Sequence, residues 1–146
     1  MIQFWREHPD AIMPLQSREG DVGYDLYSVD AVKIPSHCRV LIPIGLRIVC
    51  PPHIWYTFAP RSGHAFKHNI IPSHLNVMDS NYTGDCSVLM WNRSDVDYQI
   101  AKGERFCQLI IWQKPSIMIK EISREQFQQL VDQSQRGDCG FGSSGK

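Results

Sequence analysis

The sequence has no apolar run near the roughly 20 residues that a membrane-spanning helix needs. Its first ten residues, MIQFWREHPD, carry charges where a secretory signal peptide would have an apolar stretch. Hydrophobic residues still make up 42% of the 146 residues, which is ordinary for one domain with a core and too many for a disordered chain. These features predict a soluble intracellular protein with no membrane partner, and they do not distinguish cytoplasm from nucleus.

An excess of charge of either sign is also missing, because 15 basic residues balance 15 acidic ones. Nucleic-acid-binding proteins usually carry a surplus or a stripe of lysine and arginine, and neither is present here. We therefore expect no DNA or RNA partner. A small anion held by a few arginines and a metal ion is compatible with the balance.

No C-x-x-C pair occurs among the five cysteines, and their number is odd. Both facts argue against a zinc site and a disulfide framework, and they favour reduced thiols in a reducing compartment. His64, His68 and His74 lie close together in sequence. Only a helix would place the first two on one face, and the segment between Gly63 and Pro72 is short for one. We therefore expect no metal site at these histidines.

Short β-rich runs alternate with proline and glycine turns, whereas long helical periodicity is absent. This pattern predicts an all-β antiparallel sandwich or barrel with at most one short helix. The helix is expected at Ser123–Asp132, where Ser123 fits an N-cap and Gln126 fits a capping box. The tail from 134 to 146 has four glycines and should be mobile. The predicted strands are Val29–Ile34, Arg39–Ile42, Leu46–Cys50, Ile54–Phe58, Ser87–Asn92, Asp97–Ile100 and Phe106–Gln113.

Five segments carry polar residues that a plain β-strand does not need. In Gly23–Ser28 an acid follows a glycine. Ala59–Gly63 ends in an Arg-Ser-Gly turn, which offers a cation, a hydroxyl and a backbone N–H to a phosphate oxygen. Val77–Asp85 is predicted to be an apolar strand that ends in an acid, followed by a turn with an aromatic residue. Gly103–Gln108 is a turn that leads into a strand, and Arg136–Gly145 is rich in glycine.

Each segment alone has an ordinary structural explanation, since aspartate favours turns and tyrosine is often a surface ring. Gly140 to Lys146 also fits the opening of a Walker A loop, G-x-x-x-x-G-K. That loop requires a helix to follow and a Ser or Thr after its lysine, and neither follows Lys146, so we reject it. A glycine-rich arm that wraps a phosphate chain beside Arg136 stays open as an alternative.

In order and spacing, the five segments resemble the five motifs of the trimeric dUTPase family. Those motifs read approximately A-G-Y-D-L-x-S, P-R-S-G-L-A, G-V-I-D-x-D-Y-R-G-E, G-D-R-I-A-Q and R-G-x-G-G-F-G-S-T-G. The match extends from residue 22 to residue 145 and includes Lys67-His68 after the second motif. Five motifs in the family's order make the resemblance specific.

The resemblance implies a jelly-roll-like distorted β-barrel, with residues 1–133 as the domain and 134–146 as a mobile arm. It implies a homotrimer whose active sites combine motifs from different chains. The implied activity is that of a dUTP diphosphatase: with Mg²⁺, water attacks the α-phosphorus of dUTP and releases dUMP and pyrophosphate. This reaction would limit uracil in DNA and supply dUMP for dTTP synthesis. Phosphoryl transfer needs mainly positioning and charge neutralisation, and magnesium often binds through substrate phosphates, so the absence of a metal-ligand cluster fits.

The resemblance also implies a role for individual residues. Asp79 activates the attacking water, and Tyr82 packs on the deoxyribose and leaves no room for a 2′-hydroxyl. Backbone groups before Asp79 read the uracil edge, and Asp25 positions the magnesium ion through water. The other implied substrate-binding residues are the phosphate ligands Arg61, Ser62, Gly63 and Gln108 and the arm residues Arg136 (on the γ-phosphate), Phe141 (over uracil), Gly142, Ser143 and Ser144.

The third motif departs from the family pattern, because Asn76 stands where the family has a glycine before the apolar pair. Asn76 or Ser73 is therefore a candidate side-chain contact to the base. Two rival functions stay open, a relative of dCTP deaminase and a catalytically silent dUTPase-like nucleotide-binding protein. The intact Asp79 and Tyr82 and the complete arm favour the hydrolase. Ammonia release from dCTP would distinguish the first rival, and dUTP binding without pyrophosphate release the second.

Overall fold

The computed structural model describes residues 1–134, in which ten strands and two helices alternate with short turns. In chain order the elements are β1 (Gln3–Arg6), β2 (Tyr24–Tyr27), β3 (Val32–Ile34), β4 (Arg39–Pro43), β5 (Leu46–Val49), β6 (Ile54–Pro60), α1 (Ser62–His68), β7 (Ile70–Pro72), β8 (Ser87–Asn92), β9 (Tyr98–Ile100), β10 (Arg105–Gln113) and α2 (Arg124–Gln133). The mostly β composition confirms the predicted fold class.

All strand pairs are antiparallel, and the sheet β2-β10-β6 positions much of the candidate site. Its central strand β10 is nine residues long. On one edge Gln108 lies opposite Asp25 of β2, and on the other edge it lies opposite Ala59 of β6. The remaining sheets are β4-β8-β7, β1-β5 and β3-β9. Because these pairings join distant parts of the chain, residues from separate motifs meet on neighbouring strands.

The core is built by alternation along the strands, which β8 shows most clearly. Val88, Met90 and Asn92 are buried there, while the residues between them are half-buried. Burying one large aliphatic or aromatic side chain stabilises a fold by about 1.5–3 kcal/mol. The largest fully buried side chains are Tyr56, Phe106, Leu26, Ile34, Ile42, Ile44, Leu46, Ile48, Ile70, Met90, Ile100 and Leu109.

The seven predicted strands are all present, with boundaries displaced by at most three residues. The sequence patterns missed β1, β2 and β7. The prediction of an apolar strand leading into Asp79 is wrong, because this segment forms only an isolated bridge between Met78 and Tyr56.

The prediction of at most one short helix is also wrong, because Ser62–His68 forms α1. Arg61 is extended at its N-cap, and Asn69 ends it in the left-handed conformation at φ 55°. The Asn69 N–H donates to the Ala65 carbonyl, and Lys67 lies in the last turn, where a cation opposes the partial negative charge of the helix end. This helix has only two turns and contains Gly63, so helical periodicity could not reveal it.

The second helix confirms its prediction, since α2 begins directly after Ser123. The backbone N–H of Gln126 donates to the Ser123 hydroxyl at 3.3 Å, and the Ser123 N–H donates to the Gln126 side chain at 3.0 Å. This is the expected capping box. Neither helix in residues 1–134 has the length and apolar content that crossing a bilayer requires.

The chain divides into two compact units, Met1–Pro115 and a second unit that begins at Ser116. All ten strands and α1 belong to the first unit, and α2 belongs to the second. The division into a domain over 1–133 and an arm over 134–146 stays a prediction.

Candidate functional site

The carboxylate of Asp25 lies at the centre of a polar group on β2 and is only 3% exposed. Its Oδ2 accepts from the Ser17 hydroxyl at 2.7 Å and from Arg105 Nη1 at 3.1 Å. Its Oδ1 accepts from Arg61 Nε at 3.2 Å and from Gln108 Nε2 at 3.4 Å. We call these five residues the Asp25 cluster. The buried negative charge is thus matched by two guanidinium groups.

The strand register explains why this cluster forms. Gln108 is directly opposite Asp25 across β10 and β2, and Arg61 follows immediately after β6, on the far side of β10. Gly23 leaves room for the amide, because a β-carbon at that position would lie 2.9 Å from Gln108 Cδ. A side chain there would displace Gln108 from its place beside Asp25.

Electrostatics keep Asp25 ionised in this position. Burial alone would raise its pKa, but the Ser17 hydrogen bond and the charges of Arg61 and Arg105 together hold the pKa below its usual value of 3.8. Arg61 also donates from Nη1 to the Arg105 carbonyl at 2.9 Å, which fixes the guanidinium plane. Its Nη2 makes no hydrogen bond within residues 1–134, so one face of the fork is free to bind an anion.

The first helix places Ser62 and Gly63 at its exposed start, beside Arg61. His64 is the helix's buried residue, and its Nε2 lies 3.2 Å from Glu104 Oε1. Burial lowers the pKa of His64 below its usual 6.5, although Glu104 opposes this change. His64 therefore helps to attach the helix that carries the Arg-Ser-Gly turn.

The helix brings the rings of His64 and His68 to 6.4 Å between centroids. The sequence alone did not predict this arrangement, because the segment is short for a helix. Both rings also contact Tyr98. In the part of the chain that the structure describes, no group of three or more His, Cys, Asp or Glu side chains is arranged to hold a metal ion. His64 contacts Glu104, and both histidines contact the Tyr98 ring.

Asp79 lies on a different part of the surface, in a segment we call the Asp79 loop (residues 78–86). Met78 exchanges two backbone hydrogen bonds with Tyr56 of β6, at 2.9 and 3.2 Å. At the other end of the loop, the Tyr56 hydroxyl lies 3.3 Å from Cys86 Sγ. One buried residue of β6 therefore contacts both ends of the loop, and the exposed Asp79 follows the first of these contacts.

Tyr82 is folded back within this loop. Its N–H donates to the Asp79 carbonyl at 3.0 Å, and its hydroxyl donates to the Asp85 carbonyl at 2.9 Å. Gly84 permits this conformation, since a β-carbon there would lie 2.6 Å from Tyr82 Oη. The ring is 42% exposed, so it offers a face to a ligand while its position is fixed.

Within one chain, the Asp25 cluster and the Asp79 loop are separate. Met78 bridges to Tyr56, whereas Arg61 lies five residues further along the chain from Tyr56. At the rise of an extended strand this is roughly 16 Å. The structure therefore brings together Asp25, Arg61 and Gln108, but it does not bring Asp79 to them.

Asn76 is 7% exposed, and its amide nitrogen donates to the His74 carbonyl at 2.7 Å. It shapes the turn before the Asp79 loop. The predicted arm residues Arg136, Phe141, Gly142, Ser143 and Ser144 lie outside the described residues.

Sequence reasoning missed two members of the Asp25 cluster. Arg105 belongs to the fourth motif, and that position could have indicated a role in the site. Ser17 precedes every motif, so no sequence pattern indicates its role. Arg105 Nη1 also contacts the Ser17 hydroxyl at 3.0 Å, which links the two to each other as well as to Asp25.

The fold and these two groups define a mostly β protein with a buried carboxylate between two guanidinium groups and, apart from them, an exposed carboxylate. A family model described as dUTPase matches residues 9–145, and the chain therefore belongs to the dUTPase family.

Curated relatives agree with this membership. The chain is 37% identical to deoxyuridine 5′-triphosphate nucleotidohydrolase of Candida albicans, over 99% of this chain and 88% of that protein. It is 38% identical to the protein of that name from fowl adenovirus A serotype 1, over 99% of this chain and 77% of that protein. For the one from Clostridium kluyveri the identity is 37%, over 96% of this chain and 94% of that protein.

Solved structures share the fold. A dUTPase mutant of Staphylococcus bacteriophage 80alpha, solved with dUpNHpp, superposes with a TM-score of 0.84 at 22% identity, covering 100% of this chain and 99% of that one. A dUTPase mutant from phage phi11 of S. aureus, described with a structural Mg(II) ion, gives a TM-score of 0.77 at 19% identity, covering 85% and 97%. At these identities the likeness extends to the fold alone.

Proposed function

We propose that this chain is a dUTP diphosphatase, which hydrolyses dUTP to dUMP and pyrophosphate. One observation carries the proposal beyond family membership. An exposed carboxylate, Asp79, has no ion-pair partner within residues 1–134, while a separate cluster holds two guanidinium groups around a single buried carboxylate. The first can accept a proton from water, and the second can bind phosphate. The chemistry of phosphoryl transfer asks for both.

The phosphate chain binds at the Asp25 cluster and the start of α1. Arg61 offers its free Nη2, Gln108 offers an amide, and Ser62 and Gly63 offer a hydroxyl and backbone N–H groups at an exposed turn. Asp25 holds Arg61 and Gln108 in place through Oδ1. Because these donors are positioned before the ligand arrives, little side-chain entropy is lost on binding.

The reacting water lies beside Asp79. Its oxygen forms a bond to the α-phosphorus, its proton passes to the Asp79 carboxylate, and the bond from phosphorus to the pyrophosphate oxygen breaks. Tyr82 supplies a ring face for the deoxyribose. Backbone groups before Asp79 and the Asn76 side chain contact uracil, and the arm residues Arg136, Phe141, Gly142, Ser143 and Ser144 close over the nucleotide.

The donor set of the chain fits a magnesium ion that is held mainly by the substrate. Asp25 already accepts four hydrogen bonds, two on each oxygen, which uses its usual accepting capacity. Asp25 would therefore hold a metal-bound water only if one of its four present donors gave up its hydrogen bond. When bound, Mg²⁺ supplies further neutralisation of the phosphate charge.

The proposed assembly is a homotrimer with shared active sites, as the family resemblance implies, and the separation of the two groups within one chain supports the sharing of sites between copies. Roughly 16 Å of extended chain separates Arg61 from Tyr56, the residue that bridges to Met78. Asp79 and Arg61 of one chain are therefore too far apart to contact the α-phosphate and the phosphate next to it at the same time. A second copy can supply the missing group. The proposal therefore places the Asp79 loop of one subunit against the Asp25 cluster of another.

Pyrophosphate release tests the function. With Mg²⁺, we expect hydrolysis of dUTP and far slower hydrolysis of dTTP, dCTP and UTP. Asp79→Asn should lose at least about 100-fold in kcat while still binding dUTP, because the change keeps the shape and removes the proton acceptor. Binding of dUTP without pyrophosphate release by the unaltered chain would instead establish a silent binding protein. Ammonia release from dCTP would establish a deaminase.

A further inference from the structure

A pocket of about 280 Å³ contains Asp79 and lies on the outer face of β6. Its lining includes Trp55 and Val77 and, across β6 from Asp79, Lys114. None of the five family motifs includes Lys114 or Trp55. The pocket therefore contains, together with the proposed catalytic carboxylate, two residues to which the motifs assign no role.

The strand register explains why these side chains share one face. Trp55 pairs with Trp112 across β6 and β10, and Met78 pairs with Tyr56 on the opposite edge of β6. Because side chains alternate along extended chain, Tyr56 and Met78 face the core. Asp79 and Lys114 then lie on the outer face, one on each side of Trp55.

Contacts between β6 and β10 hold this face in shape. The Lys114 N–H donates to the His53 carbonyl at 2.7 Å, which extends the pairing of β10 with β6 past Gln113. The indole rings of Trp55 and Trp112 stack with centroids 5.7 Å apart and planes at 17°. Lys114 thus projects from a backbone that is hydrogen-bonded beside a stacked aromatic pair.

The pocket carries two opposite charges, those of Asp79 and Lys114. In the described part of the chain, neither Asp79 nor Lys114 takes part in an ion pair. The other acid of the proposed site, Asp25, has two guanidinium partners. A carboxylate and an ammonium that line one pocket without forming an ion pair can contact different atoms of one bound ligand.

We propose that Lys114 is a further substrate-binding residue, which donates to a non-bridging oxygen of the α-phosphate from the side opposite Asp79. This inference rests on the proposed role of Asp79 in activating the water that attacks the same phosphorus. Lysine binds phosphate as a mobile point charge, and charge builds on these oxygens as water adds. Trp55 lines the same pocket and gives it an apolar wall.

Ligand binding tests this contact without requiring turnover. For Lys114→Met, we expect dUMP, which carries the α-phosphate, to bind at least about tenfold more weakly, since a hydrogen bond to a charged group is lost. Deoxyuridine has no phosphate, and its affinity should stay within about twofold. Lys114→Arg keeps the charge and should recover most of the dUMP affinity. Lys120→Met is the matched control, because Lys120 is another exposed lysine and is outside the pocket.

The outcomes separate the contact from a purely structural effect. Equal weakening of dUMP and deoxyuridine in Lys114→Met would overturn the proposal, because a distorted pocket would affect both ligands. Unchanged dUMP affinity would overturn it as well. Turnover gives a second readout, in which Lys114→Met should lower kcat for dUTP about tenfold or more, with Lys120→Met unchanged. If the unaltered chain releases no pyrophosphate from dUTP, the proposed function fails, while the comparison of dUMP with deoxyuridine still decides whether Lys114 contacts a phosphate.

Discussion

Tyr56 holds Met78 through two backbone hydrogen bonds of 2.9 and 3.2 Å, directly before the exposed Asp79. Its hydroxyl reaches Cys86 at the far end of the same loop, at 3.3 Å. Tyr56 is 1% exposed, so a core residue fixes a surface carboxylate. Burial raises the pKa of Tyr56 far above its usual value, which keeps the hydroxyl protonated. The core and β6 thus set the position of Asp79. Arg61 directly follows β6, so the same strand also sets the position of Arg61.

Replacing Asp25 by Asn should destabilise the chain. The change leaves Arg61 and Arg105 without their counter-charge, and we expect a loss of about 1–3 kcal/mol in the free energy of unfolding. Denaturant unfolding at one fixed protein concentration measures it. Asp97→Asn is the control, because Asp97 pairs with Lys33 at a half-exposed site and should cost under about 1 kcal/mol. Equal losses in the two variants would contradict the central place of Asp25.

Replacing Gly23 by Ala should raise KM for dUTP by displacing Gln108. The new β-carbon would lie 2.9 Å from Gln108 Cδ, so the amide must move away from Asp25. Steady-state kinetics of Gly23→Ala, Gln108→Ala and the double variant measure the effect. If Gly23 acts through Gln108, the double variant should be no worse than Gln108→Ala alone. Additive losses would show that Gly23 acts elsewhere.

Replacing Gly84 by Ala should reduce selectivity for deoxyribose. A β-carbon at this position would lie 2.6 Å from the Tyr82 hydroxyl and would displace the ring from its position in the Asp79 loop. Displacement of a positioning group by about 1 Å can cost up to about 100-fold in rate. We therefore expect the kcat/KM for dUTP to fall towards that for UTP. Tyr82→Phe, which loses only the bond to the Asp85 carbonyl, should keep most of the selectivity. A Gly84→Ala protein with unchanged selectivity would contradict the role assigned to the ring.

His64 should make stability depend on pH near neutrality. Burial lowers its folded-state pKa below the ordinary 6.5, with Arg61 and His68 acting in the same direction and Glu104 opposing them. The unfolded chain therefore binds a proton first, so the contribution of His64 is complete above pH 6.5 and is lost as the pH falls through the folded pKa. The free energy of unfolding measured from pH 8 to 5 should fall less steeply in His64→Gln than in the unaltered chain. Identical slopes would refute this.

How far the sequence predicts the fold depends on the length of each pattern. Ser87–Asn92 alternates over six residues and was found, whereas β7 has three residues and ends at Pro72. β2 has only four residues, and the pattern around Asp25 indicates a polar motif more strongly than a strand. α1 has only two turns and contains Gly63, so it shows no helical periodicity.

The site shows a similar division. Motif order identified the family, and the comparisons confirm it. The contact between Asp25 and Gln108 depends on strand register across 83 residues of sequence, which no local pattern encodes. Ser17 and Lys114 have no motif to mark them and become visible only when the strands are paired. The catalytic and binding roles themselves stay predictions.

The central claim is that Asp79 of one subunit and the Asp25 cluster of another form one active site. The most direct measurement mixes Asp79→Asn and Gln108→Ala, at a dUTP concentration where each shows little activity alone, under conditions that exchange subunits. Random assembly of equal amounts leaves about a quarter of the shared sites with both native residues, so we expect activity to recover towards a quarter of that of the unaltered protein. A mixture that exchanges subunits and stays as inactive as its parents would contradict the account, because each site would then lie within one chain.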